Sequence, residues 1–304
     1  MSPFFNATQH RLPMPTLCIG LDVAWHGGSK RNRDSQYDCI ISVIADGGDL
    51  ELNCERVALI NRDPDALLVR DAILKRLHEA KANAVEQVVV AIDAPLQTTQ
   101  KFPPAGQKRA YRACERHLNN CRKEIDQKVG GSKGWHPNLQ PGIPLAPRVE
   151  TLLKELQNQN FEIWSKDHFS KRLIVECFPA EAIWSAKRLG HYKDSVDASF
   201  IKKYKNQKGK DLSNAEVRRI AKDVMNAFQF VSDEWPSLVE QITTWLLEDV
   251  TWLRNGYYRG GKLLDDVIDS MISLGTALAY SSGKAHVWQD PLDPDDGHII
   301  GPGL

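Results

Sequence analysis

The chain has 304 residues, of which 42% are hydrophobic and 26% charged, as is ordinary for a globular protein of one or two domains. Lysine and arginine together number 39, as do aspartate and glutamate, so the zero net charge disfavours a protein that coats nucleic acid indiscriminately. No apolar run approaches the roughly 20 residues that cross a bilayer, and six scattered cysteines favour a reducing compartment, so we predict a cytoplasmic protein without membrane association.

The first third of the chain predicts a sheet, a helix and a buried strand. Residues 1–15 lack a secretory signal and are predicted to be a tail. Strands are predicted at 16–25, 37–45 and 50–59, the last two joined by a glycine turn. Asp63 and Pro64 can begin a helix, and the unbroken apolar run 86–96 is typical of a central parallel strand. This order predicts a mixed α/β sheet.

The remainder of the chain predicts helices around one further core strand. A helix near 107–125 lies within a long stretch rich in glycine and proline, and long loops of this kind are often functional. A helix at 149–158, a fifth strand at 171–179 and a final helix at about 262–280 follow. The helical pattern at about 186–255 predicts an insertion in a single domain that covers 16–304.

Single acids occur near the ends of three predicted strands. They are Asp22, Asp93 and Glu176, and the final helix adds Asp266 and Asp269, which are three positions apart. Ligands of open α/β sheets bind outside the carboxyl ends of the strands, so these five acids could converge. Such a cluster requires divalent cations, and its oxygen ligands suit Mg²⁺ or Mn²⁺. The alternative for each acid alone is a cap of a turn or a helix.

Five segments together resemble a known family. They are "GLDVAW", "VAIDAPL", "RACERHL", "VECFP" and "LLDDVIDSM", and the resemblance covers roughly 16–125, 171–185 and 262–302. The family is catalogued as domain of unknown function 429, and its members are predicted nucleases with a ribonuclease H-like fold. The resemblance implies a mixed five-stranded sheet flanked by helices and an acidic site completed by the final helix.

The expected chemistry is two-metal hydrolysis of phosphodiester bonds in DNA or RNA. On the fold that the resemblance implies, Asp22 is expected to bridge two metals, because the first strand is central. Asp93 or Glu176 would share one metal, and Asp266 with Asp269 would bind the other. Arg109 and Arg112 could bind phosphate as bidentate donors, or could lie on a solvated helix face.

Two other functions remain open at this stage. Gly27, Gly28, Ser29 and Lys30 follow Asp22 and could cradle phosphate in an actin-like or sugar-kinase-like ATP-binding phosphotransferase, although they lack P-loop spacing. The same fold could instead be a non-catalytic scaffold that binds nucleic acid, or a protein partner through 190–250. The lysines of 202–210 are either a basic patch for nucleic acid or a solvated loop.

Overall fold

A computed structural model describes residues 15–23, 37–46, 49–58, 66–82, 85–97, 110–128, 146–166, 170–188 and 261–302, with seven further residues between 213 and 244. The predicted N-terminal tail and the predicted helical insertion lie almost entirely outside these ranges.

The main sheet combines parallel and antiparallel strands. Its members are β1 (Thr16–Asp22), β2 (Tyr37–Asp46), β3 (Asp49–Ala58), β4 (Gln87–Asp93), β5 (Glu162–Ile163) and β6 (Arg172–Glu176). The strand order is β3-β2-β1-β4-β6-β5, and β2 runs antiparallel to both of its neighbours. The predicted mixed α/β sheet of five strands is therefore confirmed. A sixth strand, the two-residue β5, extends it at the edge beside β6.

The helices lie on both faces of this sheet. They are α1 (Leu67–Ala82), α2 (Ala113–Lys128), α3 (Ala146–Gln157), α4 (Pro179–Arg188) and α5 (Gly261–Ser281). After α5, the strands β7 (Ala285–Trp288) and β8 (Ile299–Pro302) form a separate antiparallel pair that the sequence did not predict. Among the helices that the structure describes, none combines the length and the apolar character needed to cross a bilayer.

Alternation along the strands assigns each residue to one of two faces. In β1, Leu17, Ile19 and Leu21 belong to the hydrophobic core that α1 and α3 complete, and we call this side of the sheet the α1/α3 face. The even-numbered residues of β1 point to the opposite side, where Cys18 Sγ lies 3.3 Å from Ser281 Oγ of α5. That side, which α5 covers, is the α5 face.

Close packing at Gly20 fixes the position of α5 on the sheet. A Cβ atom on Gly20 would lie 2.1 Å from the carbonyl oxygen of Ser270 and 2.3 Å from the amide nitrogen of Leu274, so only glycine permits this approach. Ser270 lies beside Asp22 at the carboxyl end of β1, whereas Ser281 lies beside Cys18 near its start. The helix therefore runs antiparallel to β1, and its N-terminal half reaches the end of the strand.

Candidate functional site

Asp22 and Asp93 are side by side at the carboxyl ends of two parallel strands. They are the last residues of β1 and β4, and the strand register pairs them directly. Neighbouring strands are about 4.8 Å apart, and paired residues point to the same face of the sheet. Ile92 belongs to the core on the α1/α3 face, so Asp93 points to the α5 face, as Asp22 does. Asp22 is 6% exposed, and Asp93 is half-buried.

Asp266 and Asp269 approach the same place from α5. Both are buried, with exposed fractions of 4% and 7%. Asp269 and Thr276 are seven positions apart and so share one side of the helix. That side faces β4 and β6, because Thr276 Oγ1 lies 3.3 Å from the Sγ atom of Cys177, the residue that follows β6. Cys177 is level with Asp93 in the strand register, so Asp269, two turns nearer the N-terminus of α5, lies beyond the carboxyl ends of β4 and β6.

The thiol of Cys177 gives independent support for this grouping. Burial raises the pKa of Cys177 well above its usual value, and the negative charge of Asp93 raises it further. The amide of Cys177 also donates to the carbonyl oxygen of Ile92 over 2.9 Å, so Asp93 and the α5 side chain that contacts Cys177 lie in one region of the α5 face. The structure therefore brings four of the five predicted acids to one edge of the sheet.

Ser270 connects the helix acids to the strand acids. The amide of Asp22 donates to Ser270 Oγ over 3.3 Å, and Oγ is 2.8 Å from the carbonyl oxygen of Cys39 and 3.0 Å from that of Asp266. Asp22 and Cys39 are opposite each other in the β1–β2 register, so one hydroxyl contacts both strands and the helix. Sequence analysis singled out neither Ser270 nor Gly20. Each is a small residue among the larger apolar residues of its element, β1 or α5, and this was the signal by which they could have been found.

The structure places Glu176 on the other face. The register pairs Glu176 with Ile92, a core residue of the α1/α3 face, and paired residues share a face. Its carboxylate forms a bidentate ion pair with the guanidinium of Arg112, in which Arg112 Nη1 donates to Oε2 over 2.7 Å. Oε2 also accepts a hydrogen bond from the amide of Leu96 at 2.9 Å. Glu176 is thus separated from the four aspartates.

Arg112 is a buried ion-pair partner, which corrects the alternative of a solvated helix face. It is 1% exposed, and its five N–H groups donate to Glu115, Glu176 and the carbonyl oxygen of Gln97. Burial alone would lower the pKa of Arg112, but the charge of Glu176, the hydrogen bonds to it and the charge of Glu115 act together to raise it. Phosphate binding by Arg112 would require these contacts to be broken. Arg109 lies outside the described residues.

The four aspartates fit a hard divalent cation by their chemistry. Within the described ranges, no three His, Cys, Asp or Glu side chains are already arranged to hold a metal ion. Coordination would therefore require the aspartate side chains to rotate towards a common point. Carboxylate oxygens are the donors that Mg²⁺ and Mn²⁺ prefer. Three of the four carboxylates are buried, and a cation bound between the aspartates would offset the cost of their desolvation.

Several predicted features lie outside the described residues. These are Gly27, Gly28, Ser29 and Lys30, on which the phosphotransferase alternative depends, and the lysines of 202–210. The segment 190–250, to which a protein partner was assigned, is described at only a few single positions. These features stay predictions.

Comparison with known proteins identifies one family. The family model described as "Protein of unknown function (DUF429)" matches residues 34–293. No curated protein and no solved structure match the chain. The matched region begins after β1 and includes the segments that carry Asp93, Glu176, Asp266 and Asp269.

Proposed function

The chain belongs to the DUF429 family, and we propose that it is a Mg²⁺- or Mn²⁺-dependent nuclease that hydrolyses phosphodiester bonds of DNA or RNA. One observation carries the proposal. Asp22 and Asp93 are paired in register at the ends of two parallel strands, on the face that α5 covers with Asp266 and Asp269. This is the location at which open α/β sheets bind ligands, and it is built from hard oxygen donors.

We propose further that the fold is ribonuclease H-like. Three features support this: the order β3-β2-β1-β4-β6 of the long strands, the antiparallel direction of β2 alone, and a final helix that crosses the central strand. On such a fold the central strand supplies the acid nearest to the middle of the site. Here the central strand is β1, which lies between β2 and β4, and the residue is Asp22.

The four proposed ligands are divided between the sheet and the helix. Asp22 and Asp93 would bind the cation from the sheet, and Asp266 and Asp269 from the helix. Mg²⁺ or Mn²⁺ bound there supplies an activated water and stabilises the charge that develops on the leaving oxygen. The burial of Asp22, Asp266 and Asp269 keeps bulk water away from their carboxylates and strengthens the attraction to a cation. Glu176 is omitted from this set because it is paired with Arg112.

A cleavage assay tests the proposal. Wild-type protein is incubated with single-stranded DNA, duplex DNA and RNA in Mg²⁺, in Mn²⁺ and in EDTA, and Asp22→Asn is compared with it. We expect metal-dependent cleavage that falls at least about 1,000-fold in Asp22→Asn, since a central ligand is lost while the fold is retained. Asp71→Asn, in which the changed side chain is 58% exposed on α1, is the matched control and should cleave as wild type.

Three results would contradict the proposal in different ways. Cleavage retained by Asp22→Asn would mean that the assigned site is wrong. Binding of nucleic acid without cleavage in either metal would favour a non-catalytic scaffold. Mg²⁺-dependent binding of ATP, measured by calorimetry in the absence of nuclease activity, would favour a phosphotransferase.

A further inference from the structure

Two of the family-like segments meet in a buried charged cluster outside the proposed metal site. "RACERHL" supplies Arg112 and Glu115, and "VECFP" supplies Glu176; all three residues are at most 5% exposed. One guanidinium thus lies between two carboxylates, with Glu115 Oε1 3.0 Å from Arg112 Nη2. A cluster with so many hydrogen bonds has a single geometry, because each donor direction of the planar guanidinium is used.

The cluster is attached to the backbone that follows Asp93. The amide of Leu96 donates to Glu176 Oε2 over 2.9 Å, and Arg112 Nη1 donates to the carbonyl oxygen of Gln97 over 2.9 Å. Two consecutive residues after the end of β4 are therefore bonded to the two partners of one ion pair. The direction in which the chain leaves the sheet is set by that pair.

Asp93 itself lies at a sharp turn of the backbone. The amide of Ala94 donates to the carbonyl oxygen of Ile92 over 2.9 Å, which makes Asp93 the central residue of a three-residue turn. The same carbonyl oxygen accepts from the amide of Cys177 over 2.9 Å, so the turn is tied to the end of β6. The orientation of the Asp93 side chain thus depends on where the segment 94–97 is anchored.

The C-terminal segment closes the cluster from outside. Gly297 has a φ of +91°, and a Cβ there would lie 2.8 Å from both Arg112 Nη1 and the carbonyl oxygen of Gln97. Beside it, Asp296 Oδ2 accepts from the amide of Ala113 over 2.8 Å at the start of α2. Solvent is therefore kept from the bond between Arg112 and Gln97, which strengthens that bond.

We propose that Arg112 and Glu176 are positioning residues, which anchor 94–97 and thereby aim the Asp93 carboxylate into the site on the opposite face. The inference rests on the proposed function, in which Asp93 is a metal ligand. It gives Arg112 of "RACERHL" and Glu176 of "VECFP" a role without contact with substrate or metal. Outer-shell partners of this kind typically affect metal affinity about 10–100-fold.

The test combines hydrogen exchange with metal titration of the full chain. In metal-free Glu176→Gln, the Leu96 amide should exchange at least about tenfold faster, relative to the Val90 amide in the middle of β4, because its charged acceptor and the ion pair are lost. The affinity for Mn²⁺ should fall about tenfold. Arg112→Lys, which keeps the charge but not the planar fork, should give a smaller change of the same kind and is the second variant if Glu176→Gln does not fold.

Asp38→Asn is the matched control. Asp38 is 0% exposed and forms a bidentate ion pair with Arg148, also on the α1/α3 face, but this pair connects β2 to α3. The control should lose comparable stability in urea and retain wild-type exchange at Leu96 and wild-type Mn²⁺ affinity. If Arg112 and Glu176 had a purely structural role, the control and the test variants would show the same Leu96 exchange and the same Mn²⁺ affinity.

The outcomes separate this inference from the proposed function. Unchanged Leu96 exchange in Glu176→Gln, or faster exchange with unchanged Mn²⁺ affinity, would overturn the positioning role while the nuclease proposal stands. A wild-type protein that binds no Mn²⁺ and cleaves no nucleic acid would contradict the proposed function and, with it, the aiming of Asp93 at a metal. The Leu96 exchange would then still report whether the pair anchors 94–97.

Discussion

The two faces of the sheet carry acids in opposite ways at the same edge. On the α1/α3 face, Asp38 and Glu176 are each paired with one arginine in a bidentate geometry. On the α5 face, Asp22 and Asp93 are neighbours of each other, and the helix adds two further aspartates. The first arrangement cancels charge within the protein. The second brings carboxylates together, and carboxylate oxygens are the donors that a hard divalent cation prefers.

The difference between the faces depends on a single step along a strand. Glu176 and Cys177 are consecutive, yet Cys177 contacts α5 while Glu176 contacts Arg112. Since side chains alternate along a strand, a shift of one position exchanges the two environments. The position of an acid near a strand end is therefore insufficient to assign it to a site. The face must also be known.

The largest effect is expected from breaking a pair on the α1/α3 face. Arg148→Ala removes the guanidinium that is bonded to the fully buried Asp38, and loss of one partner of a buried pair costs about 3–5 kcal/mol. Urea denaturation would measure the fall in the free energy of unfolding. Arg70→Ala, which breaks a pair whose arginine is 25% exposed, is the control and should cost less than about 1 kcal/mol. Equal losses of unfolding free energy in the two variants would contradict the assignment of Arg148 and Asp38 as a stabilising buried pair.

A methyl group at Gly20 should separate α5 from β1. Gly20→Ala introduces a Cβ that meets backbone atoms of Ser270 and Leu274, and backbone cannot move aside as a flexible side chain can. Overpacking of this kind costs about 1–3 kcal/mol, and we expect the upper end. Mn²⁺ affinity measured by calorimetry should fall as well, since Asp266 and Asp269 move away from the strands. Wild-type affinity in a destabilised Gly20→Ala would mean that the helix acids are not part of the site.

The buried side chain of His298 also predicts a dependence of stability on pH. Burial and, to a smaller extent, the positive charge of Arg112 lower the pKa of His298 to about 3. His298 is therefore neutral when folded but binds a proton below about pH 6.5 when unfolded, so stability is lost as the pH falls. Between pH 7 and pH 5 the loss from this residue should be about 2 kcal/mol. In His298→Phe, the difference in unfolding free energy between these pH values should shrink by that amount. An unchanged difference would mean that His298 is not the cause of the loss.

The smallest effect on stability is expected on the α5 face. Replacing both Asp266 and Asp269 with Asn removes repulsion among the carboxylates, so the metal-free protein should be as stable as wild type or slightly more stable. Mn²⁺ binding should nevertheless be lost. Thermal unfolding with and without Mn²⁺ would measure both. A large loss of metal-free stability would instead indicate a structural ion pair at these positions.

The sequence predicted the mixed α/β sheet, and it singled out the four aspartates that lie at one edge of that sheet. The apolar runs before Asp22 and Asp93 identify the strands, and the spacing of apolar residues identifies α5. The face of Glu176 was not predictable, because β6 is buried on both sides and has no alternation of polar and apolar residues. The partner of Glu176 is Arg112, which lies 64 positions earlier, immediately before α2, a distance that local patterns do not encode.

The bond between Asp22 and Ser270 has a consequence for the synthesis of the protein. The two residues are 248 positions apart, and a ribosome that adds about 5–20 residues per second needs about 12–50 s to cover that distance. Throughout this time Cys18, Gly20 and Asp22 of the nascent chain lack the helix that covers them in the folded protein. The four aspartates therefore cannot come together on the chain until α5 has been made.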